Sequence, residues 1–122
     1  MTSSSNLANL FAALADPTRL RLLNLMAGRE VCVCYFVEIL RQGQPKISRH
    51  LAYLRNAGLV SARREGKWMH YSRTTPVDAA AAAILVAVLD ELSKDSTMQA
   101  ERAQLDHACC APQGLVVPRE AA

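Results

Sequence analysis

The chain has 122 residues, 51% of them hydrophobic and 20% charged, with four cysteines and a formal net charge of +3. That length supports one core rather than two, and the longest apolar run, Ala79 to Leu89, falls short of the roughly 20 residues that a membrane-spanning helix needs. The charge is unevenly spread: Met1 to Arg73 holds eleven Lys/Arg against four Asp/Glu and the remainder three against seven, so a basic body suited to a polyanion precedes an acidic part.

Met1 to Asn6 is polar, with none of the basic residues that open a secretory leader, so the sequence predicts a cytoplasmic protein with no membrane partner. From Asn6 to Leu14 apolar residues recur at helical spacing. Asp16-Pro17 then restarts the chain with a capping carboxylate followed by proline at the first helical position. A second helix is predicted from Pro17 to Ala27, with Leu20, Leu22, Leu23, Leu25 and Met26 turned to a core and Gly28 ending it. A third covers Val31 to Arg41 and is broken by Gly43. Gln44-Pro45 opens a fourth, which runs through Ile47, Leu51 and Leu54 to Asn56 and stops at Gly58.

Two helices joined by a short glycine turn suggest a helix-turn-helix. Leu59 to Glu65 and Lys67 to Arg73, around Glu65-Gly66, read as a β-hairpin. Val77 to Leu92 is alanine-rich and apolar on most sides, too poor in polar surface to stand alone, and calls for a two-fold partner. A polar gap at Ser93 to Thr97 precedes a weak helix from Met98 to Cys109, and Pro112 to Ala122 reads as a frayed end. The predicted fold is mainly α with a small β-hairpin, a winged helix-turn-helix homodimer. Residues 1–95 form its DNA-binding and dimerisation domain, and 96–122 a flexible C-terminal tail with a cysteine pair.

The second helix of such a unit enters the major groove of double-stranded operator DNA. Its candidate contacts are Gln44, Lys46, Ser48, Arg49 and His50, while the hairpin offers Arg63, Arg64 and Lys67, with His70 and Arg73, to neighbouring phosphates. Trp68 and Tyr71 are expected to pack the hairpin onto the core.

The four cysteines form two close pairs, Cys32 with Cys34 and Cys109 with Cys110, and are expected to be reduced thiols. Clustering matters because a soft metal or metalloid needs several thiolates in one coordination sphere. Residues two apart on an ideal helix point about 200° apart, so Cys32 and Cys34 can share one atom only if the helix start unwinds. Neither a CxxC pair, a glycine-rich nucleotide loop nor a Ser/His/Asp set occurs, which argues against an enzyme.

The stretches LADPTRLRLL, QPKISRHLAYLRNAGLV and RREGKWMHYS, in that order within residues 7 to 92, resemble the ArsR/SmtB family of metal-responsive repressors. The resemblance implies a homodimeric winged-helix repressor that releases its operator when a ligand binds. Glu30-Val31-Cys32-Val33-Cys34 resembles the family's arsenic motif, in which a third cysteine follows three residues later; here Val37 stands there, and Tyr35-Phe36 replaces the usual acidic-leucine pair. Cys109 and Cys110 are the substitutes this chain offers. The family's zinc site uses Asp and His on the dimer helix, and Val77 to Leu92 has no histidine. The implied inducer is therefore arsenic(III) or an organoarsenical, with another thiophilic metal ion such as cadmium or lead taking the same thiolates. A redox or persulfide switch on these cysteines is the alternative.

Overall fold

The computed structural model describes residues 3–109, with side chains from 6 to 108. The elements are α1 (Ser3–Leu14), α2 (Pro17–Leu25), β1 (Val31–Cys32), α3 (Val33–Leu40), α4 (Gln44–Asn56), β2 (Val60–Glu65), β3 (Trp68–Arg73), α5 (Ala79–Leu92) and α6 (Ser96–Cys109). The arrangement is a winged helix-turn-helix, with α3 and α4 as the helix pair and β2–β3 as the wing. Among the described residues no helix is long and apolar enough to cross a membrane.

Local chemistry sets the elements where the sequence placed them. Asp16 accepts hydrogen bonds from the amides of Thr18 (2.8 Å) and Arg19 (3.1 Å), and Pro17 needs no amide partner at the first position of α2. In α4, Ile47, Leu51 and Leu54 are fully buried, and they share one core with the buried Phe36, Ile39 and Leu40 of α3, which packs on α4. Glu65 pairs with Trp68 across a two-residue turn whose first position, Gly66, has φ 61°, the left-handed value that tight hairpins demand.

Four features depart from the sequence expectations. The segment predicted to open the third helix is instead β1, antiparallel to β3 with Val31 opposite Tyr71 and Cys32 opposite His70, so the sheet has three strands in the order β1-β3-β2. Its β-branched Val31 finds a ladder there that a helix start cannot offer. The helix after it ends at Leu40, one residue before the expected Arg41, and its stop is Arg41 rather than Gly43: Arg41 takes the left-handed conformation (φ 57°, ψ 44°) and returns its amide to the Val37 carbonyl at 3.0 Å. Gly43 becomes the N-cap of α4. Trp68 is half exposed with Lys67 over its ring, while Tyr71 packs on the core as expected.

The fourth departure concerns the packing of the segment after residue 95, which from sequence is a flexible tail with a weak helix from Met98 to Cys109. Asp95 accepts from the Met98 amide at 3.0 Å, and α6 then lies across α2 and α3. Leu105 is 1% exposed and Glu101 7%. Glu101 is paired with the Arg21 fork at 2.9 and 3.1 Å from Nε, Asn24 donates to the Met98 carbonyl at 3.0 Å, and Arg29 pairs with Asp106. The segment is anchored by partners about 80 residues away in sequence, which no local pattern displays.

Leu105→Ala removes a fully buried side chain from this contact and should destabilise the fold by about 2–5 kcal/mol. Urea unfolding monitored by circular dichroism would reveal this; a loss under about 0.5 kcal/mol, the usual surface value, would mean α6 does not pack on the body in solution.

Candidate nucleic-acid interface and thiol pair

The inward row of α4 leaves its opposite side free. Gln44, Lys46 and Arg49 are exposed there and Ser48 is half-buried, so donors for base edges and phosphates gather on the first turns. His50 is placed differently from the expectation. Its side chain is 17% exposed, and its Nδ1 lies 3.3 Å from Arg19 Nη1 and 4.0 Å from Asp16 Oδ1. Burial pushes the His50 pKa down, with Arg19, Lys46 and Arg49 adding to the effect against the pull of Asp16.

Arg19 completes this junction by donating to the carbonyls of Ala13 (2.8 Å) and Ala12 (3.0 Å), while its guanidinium stacks 4.1 Å from the Tyr53 ring centroid. His50 thus ties α4 to the start of α2 and the end of α1.

Side chains of the wing alternate between its two faces. Arg64 reaches the Gly66 carbonyl at 3.5 Å and Lys67 the Trp68 ring, both at the exposed tip. Arg63 is on the other face, aligned with His70 across the ladder. Its Nε and Nη2 meet the Glu30 carboxylate at 3.0 and 2.6 Å, and its Nη1 is 3.5 Å from Glu65. His70, read from sequence as a wing contact to phosphates, is nearly buried, and Glu30, named from sequence only as the start of the motif that ends at Cys34, is the partner of Arg63; the signal for that role was the two-residue spacing of Glu30 and Cys32, which on a strand shares a face.

The strand-to-helix junction decides how the thiols meet. Cys32 is the N-cap of α3 with φ −72° and ψ 144°, extended rather than helical, and Cys34 lies in the first turn. The helix start is therefore already unwound at the position where an ideal helix would part the thiols, and Cys34 Sγ donates to Cys32 Sγ at 3.4 Å. That hydrogen bond draws the Cys32 thiol down to about 6. The amides of Cys34 and Val33 at the helix start and the His70 imidazole pull the same way against burial, without closing a capping bond. The same sulfur contact, with burial, pushes Cys34 up. At neutral pH the pair holds one thiolate and one thiol.

His70 borders the pair, aligned with Cys32 and nearly buried; its Nε2 is 3.3 Å from Glu65 Oε1 but lacks hydrogen-bond alignment. Among the described residues no group of three or more His, Cys, Asp and Glu is gathered closely enough to hold a metal ion. Of the expected ligands, then, Cys32 and Cys34 are brought together. Cys109 closes α6 with its side chain outside the described residues, and Cys110 lies outside them altogether.

Residues 16–62, from the Asp16 cap into the wing, match the family described as bacterial regulatory protein, arsR family. The arsenic resistance transcriptional regulator ArsR1 of Pseudomonas putida is 43% identical over 108 residues, covering 82% of this chain and 84% of that protein. The arsenical resistance operon repressor of Escherichia coli is 49% identical over 77 residues, 62% of this chain and 66% of that protein. Among solved structures, HlyU from Vibrio cholerae superposes with a TM-score of 0.63 at 27% identity, over 77% of this chain and 96% of that one. A homodimeric winged helix-turn-helix DNA-binding domain from Mycobacterium bovis gives 0.59 at 31% identity, over 75% and 86%.

The thiol geometry sets a pH signature. Alkylation of Cys32 by iodoacetamide should follow a thiolate titrating near pH 6 and stay on its plateau at pH 8. In Cys34→Ala the donor is gone and the midpoint should climb toward the ordinary thiol value, leaving less thiolate at neutral pH. Equal midpoints in the two proteins, read by peptide mass, would show that the sulfur–sulfur hydrogen bond does not set the ionisation.

Proposed function

The chain belongs to the ArsR family of bacterial regulatory proteins, as a transcriptional repressor with arsenical-resistance relatives, and we propose that arsenic(III) or an organoarsenical lifts its repression by binding Cys32 and Cys34. The observation that carries this reading is the 3.4 Å separation of the two sulfurs. An ion held linearly by two bonds of about 2.3 Å would want its sulfurs about 4.6 Å apart, so the pair suits an angular centre. Trivalent arsenic is angular and thiophilic. Two thiolates suffice for an arsenic that already carries one organic group, and for inorganic arsenite Cys109 or Cys110 is the proposed third donor.

Double-stranded operator DNA is bound by Gln44, Lys46, Ser48 and Arg49 on α4, with Arg64 and Lys67 of the wing on the flanking phosphates. His50 supports α4 from behind. The active form is a homodimer: α5 buries only Ala81 and Leu85, and exposed Val86 of α5 and Phe11 of α1 lie on two helices in contact, so an apolar surface is left for a second copy. Leverage on DNA follows from the position of the thiols, since β1 is hydrogen-bonded to the wing and α3 packs on α4. The work is done in the cytoplasm, where thiols stay reduced.

A second reading is favoured by the ionised Cys32 beside protonated Cys34: a peroxide or persulfide as inducer, acting on the same two sulfurs. Mass separates the two, with an arsenic adduct for the first and a loss of two hydrogens or added sulfur for the second.

Two outcomes are expected. Arg49→Ala should weaken operator binding by about 1–3 kcal/mol if it reads a base, with dimerisation intact by sedimentation; unchanged affinity at moderate salt would take α4 out of the groove. Cys32→Ser with Cys34→Ser should bind operator and no longer be released by arsenite, because serine is not a soft ligand. Full release of this variant in a fluorescence-anisotropy titration would locate the sensor elsewhere in the chain.

A further inference from the structure

The thiol pair and the wing share one face of one sheet. In antiparallel strands directly opposed residues point to the same side, so Cys32 of β1, His70 of β3 and Arg63 of β2 form a single cross-strand row. Glu30 precedes Cys32 by two residues and meets this row, where Arg63 Nε is 3.0 Å from Glu30 Oε2 and Arg63 Nη2 is 2.6 Å from Glu30 Oε1. Glu65 closes the far side, 3.5 Å from Arg63 and 3.3 Å from His70. A carboxylate rooted at the sensor strand thus grips a cation of the DNA-binding wing.

We propose that the Glu30–Arg63 ion pair is the link that passes occupancy of the thiol pair to the wing, with Glu30 a positioning residue that touches neither inducer nor DNA. The inference rests on the reading that Cys32 and Cys34 are the sensor.

Three properties of the pair carry it. Its two parallel bonds fix direction as well as distance, because the guanidinium fork matches a carboxylate in only one orientation. The backbone connection between β1 and the wing is only two residues long, so a side-chain clamp on the next strand but one adds a constraint the short ladder lacks. The third is exposure: 50% for the Arg63 side chain and 35% for Glu30. Such pairs contribute little to stability, so this one can be exchanged without unfolding the chain. Arg64 and Lys67, by contrast, meet only a carbonyl and a ring. Movement of Cys32 on inducer capture carries Glu30 with it, and Arg63 must follow or let go; either disturbs the wing strand that also carries Arg64. The Arg63 guanidinium also keeps the Glu30 carboxyl below the usual carboxylate range, so the clamp stays charged at neutral pH.

The probe is phenylarsine oxide, which bridges close thiol pairs whatever the natural inducer. The Cys34 S–H bond and the bond to the oxide oxygen break, the Cys32 thiolate and Cys34 form two As–S bonds, the oxygen leaves as water with the Cys34 proton and one from solvent, and arsenic stays trivalent. The full-length protein is loaded on operator DNA, and the dissociation constant is measured with and without the reagent while mass spectrometry counts the adduct. Wild type should lose at least about tenfold in affinity on capture. Glu30→Gln should bind operator within about threefold of wild type, take up one equivalent and lose less than about threefold. Arg63→Lys, which keeps a cation but not the fork, should show the same reduced ratio and serves if Glu30→Gln does not fold. A wild-type ratio in Glu30→Gln, or failure of that variant to capture the reagent, overturns the proposal, as does a wild type that captures it and holds the operator. A wild type released by phenylarsine oxide and indifferent to arsenite would remove arsenite as inducer and leave the link standing.

Discussion

The pairing of two residues, Val31 and Cys32, with Tyr71 and His70 of the wing is the constraint from which the geometry of the thiol pair follows. Because Cys32 is committed to a strand, α3 cannot begin before Val33, and the cap residue must be extended. Had the helix started two residues earlier, the thiols would lie about 200° apart around its axis and β3 would be an exposed edge. The strand-to-helix corner instead sets both sulfurs on one side, 3.4 Å apart, and lets one donate to the other. The lowered Cys32 pKa, the raised Cys34 pKa and the alignment of Cys32 with His70 and Arg63 all descend from this corner.

The DNA-facing end is held by a different device. Ile47, Leu51 and Leu54 seat α4 on the core, but a single buried row leaves a helix free to roll about it. The Arg19–His50–Tyr53 junction opposes that roll by joining the outer side of α4 to the carbonyl end of α1 and the cap of α2. Exposed Lys46 and Arg49, on the first turns of α4, are thereby presented from a helix fixed on two sides, the condition under which a helix could read base edges at set positions.

Much of this was legible in the sequence because it is local. Asp16-Pro17, the i, i+4, i+7 row of α4 and the Glu65-Gly66 turn each declare themselves within a few residues, and together they give the winged-helix order. What was not legible is non-local or too short to show a period. Two residues cannot display alternation, so Val31-Cys32 read as the start of the helix that follows. Arg41 in the left-handed region carries no sequence mark, since glycine is the usual occupant. The Arg21–Glu101 pair joins residues 80 positions apart, and the contact of Arg19 with His50, a candidate DNA contact from sequence, is equally invisible to a local pattern. Cys32 and Cys34 were both named from sequence as candidate ligands, but the reason their sulfurs lie together is a strand pairing with residues nearly forty positions away.

That reason also alters how the proposed induction would work. If the inducer had to unwind α3 to reach both sulfurs, part of its binding free energy would be spent on the helix. With the corner already unwound, capture begins from a preorganised pair, and the ordering cost is small. Tight capture alone releases nothing, however, since a ligand that binds the DNA-bound and free forms equally shifts no equilibrium. The differential must come from strain: an angular centre dictates its own sulfur separation and replaces the hydrogen bond between the thiols. Cys32 and Cys34 are rooted in different elements, β1 on the wing side and α3 on the recognition-helix side. Any adjustment between them therefore works against one DNA-reading element or the other, and a rigid attachment of both is what turns a change of a few tenths of an ångström between two sulfurs into a preference for the form off DNA.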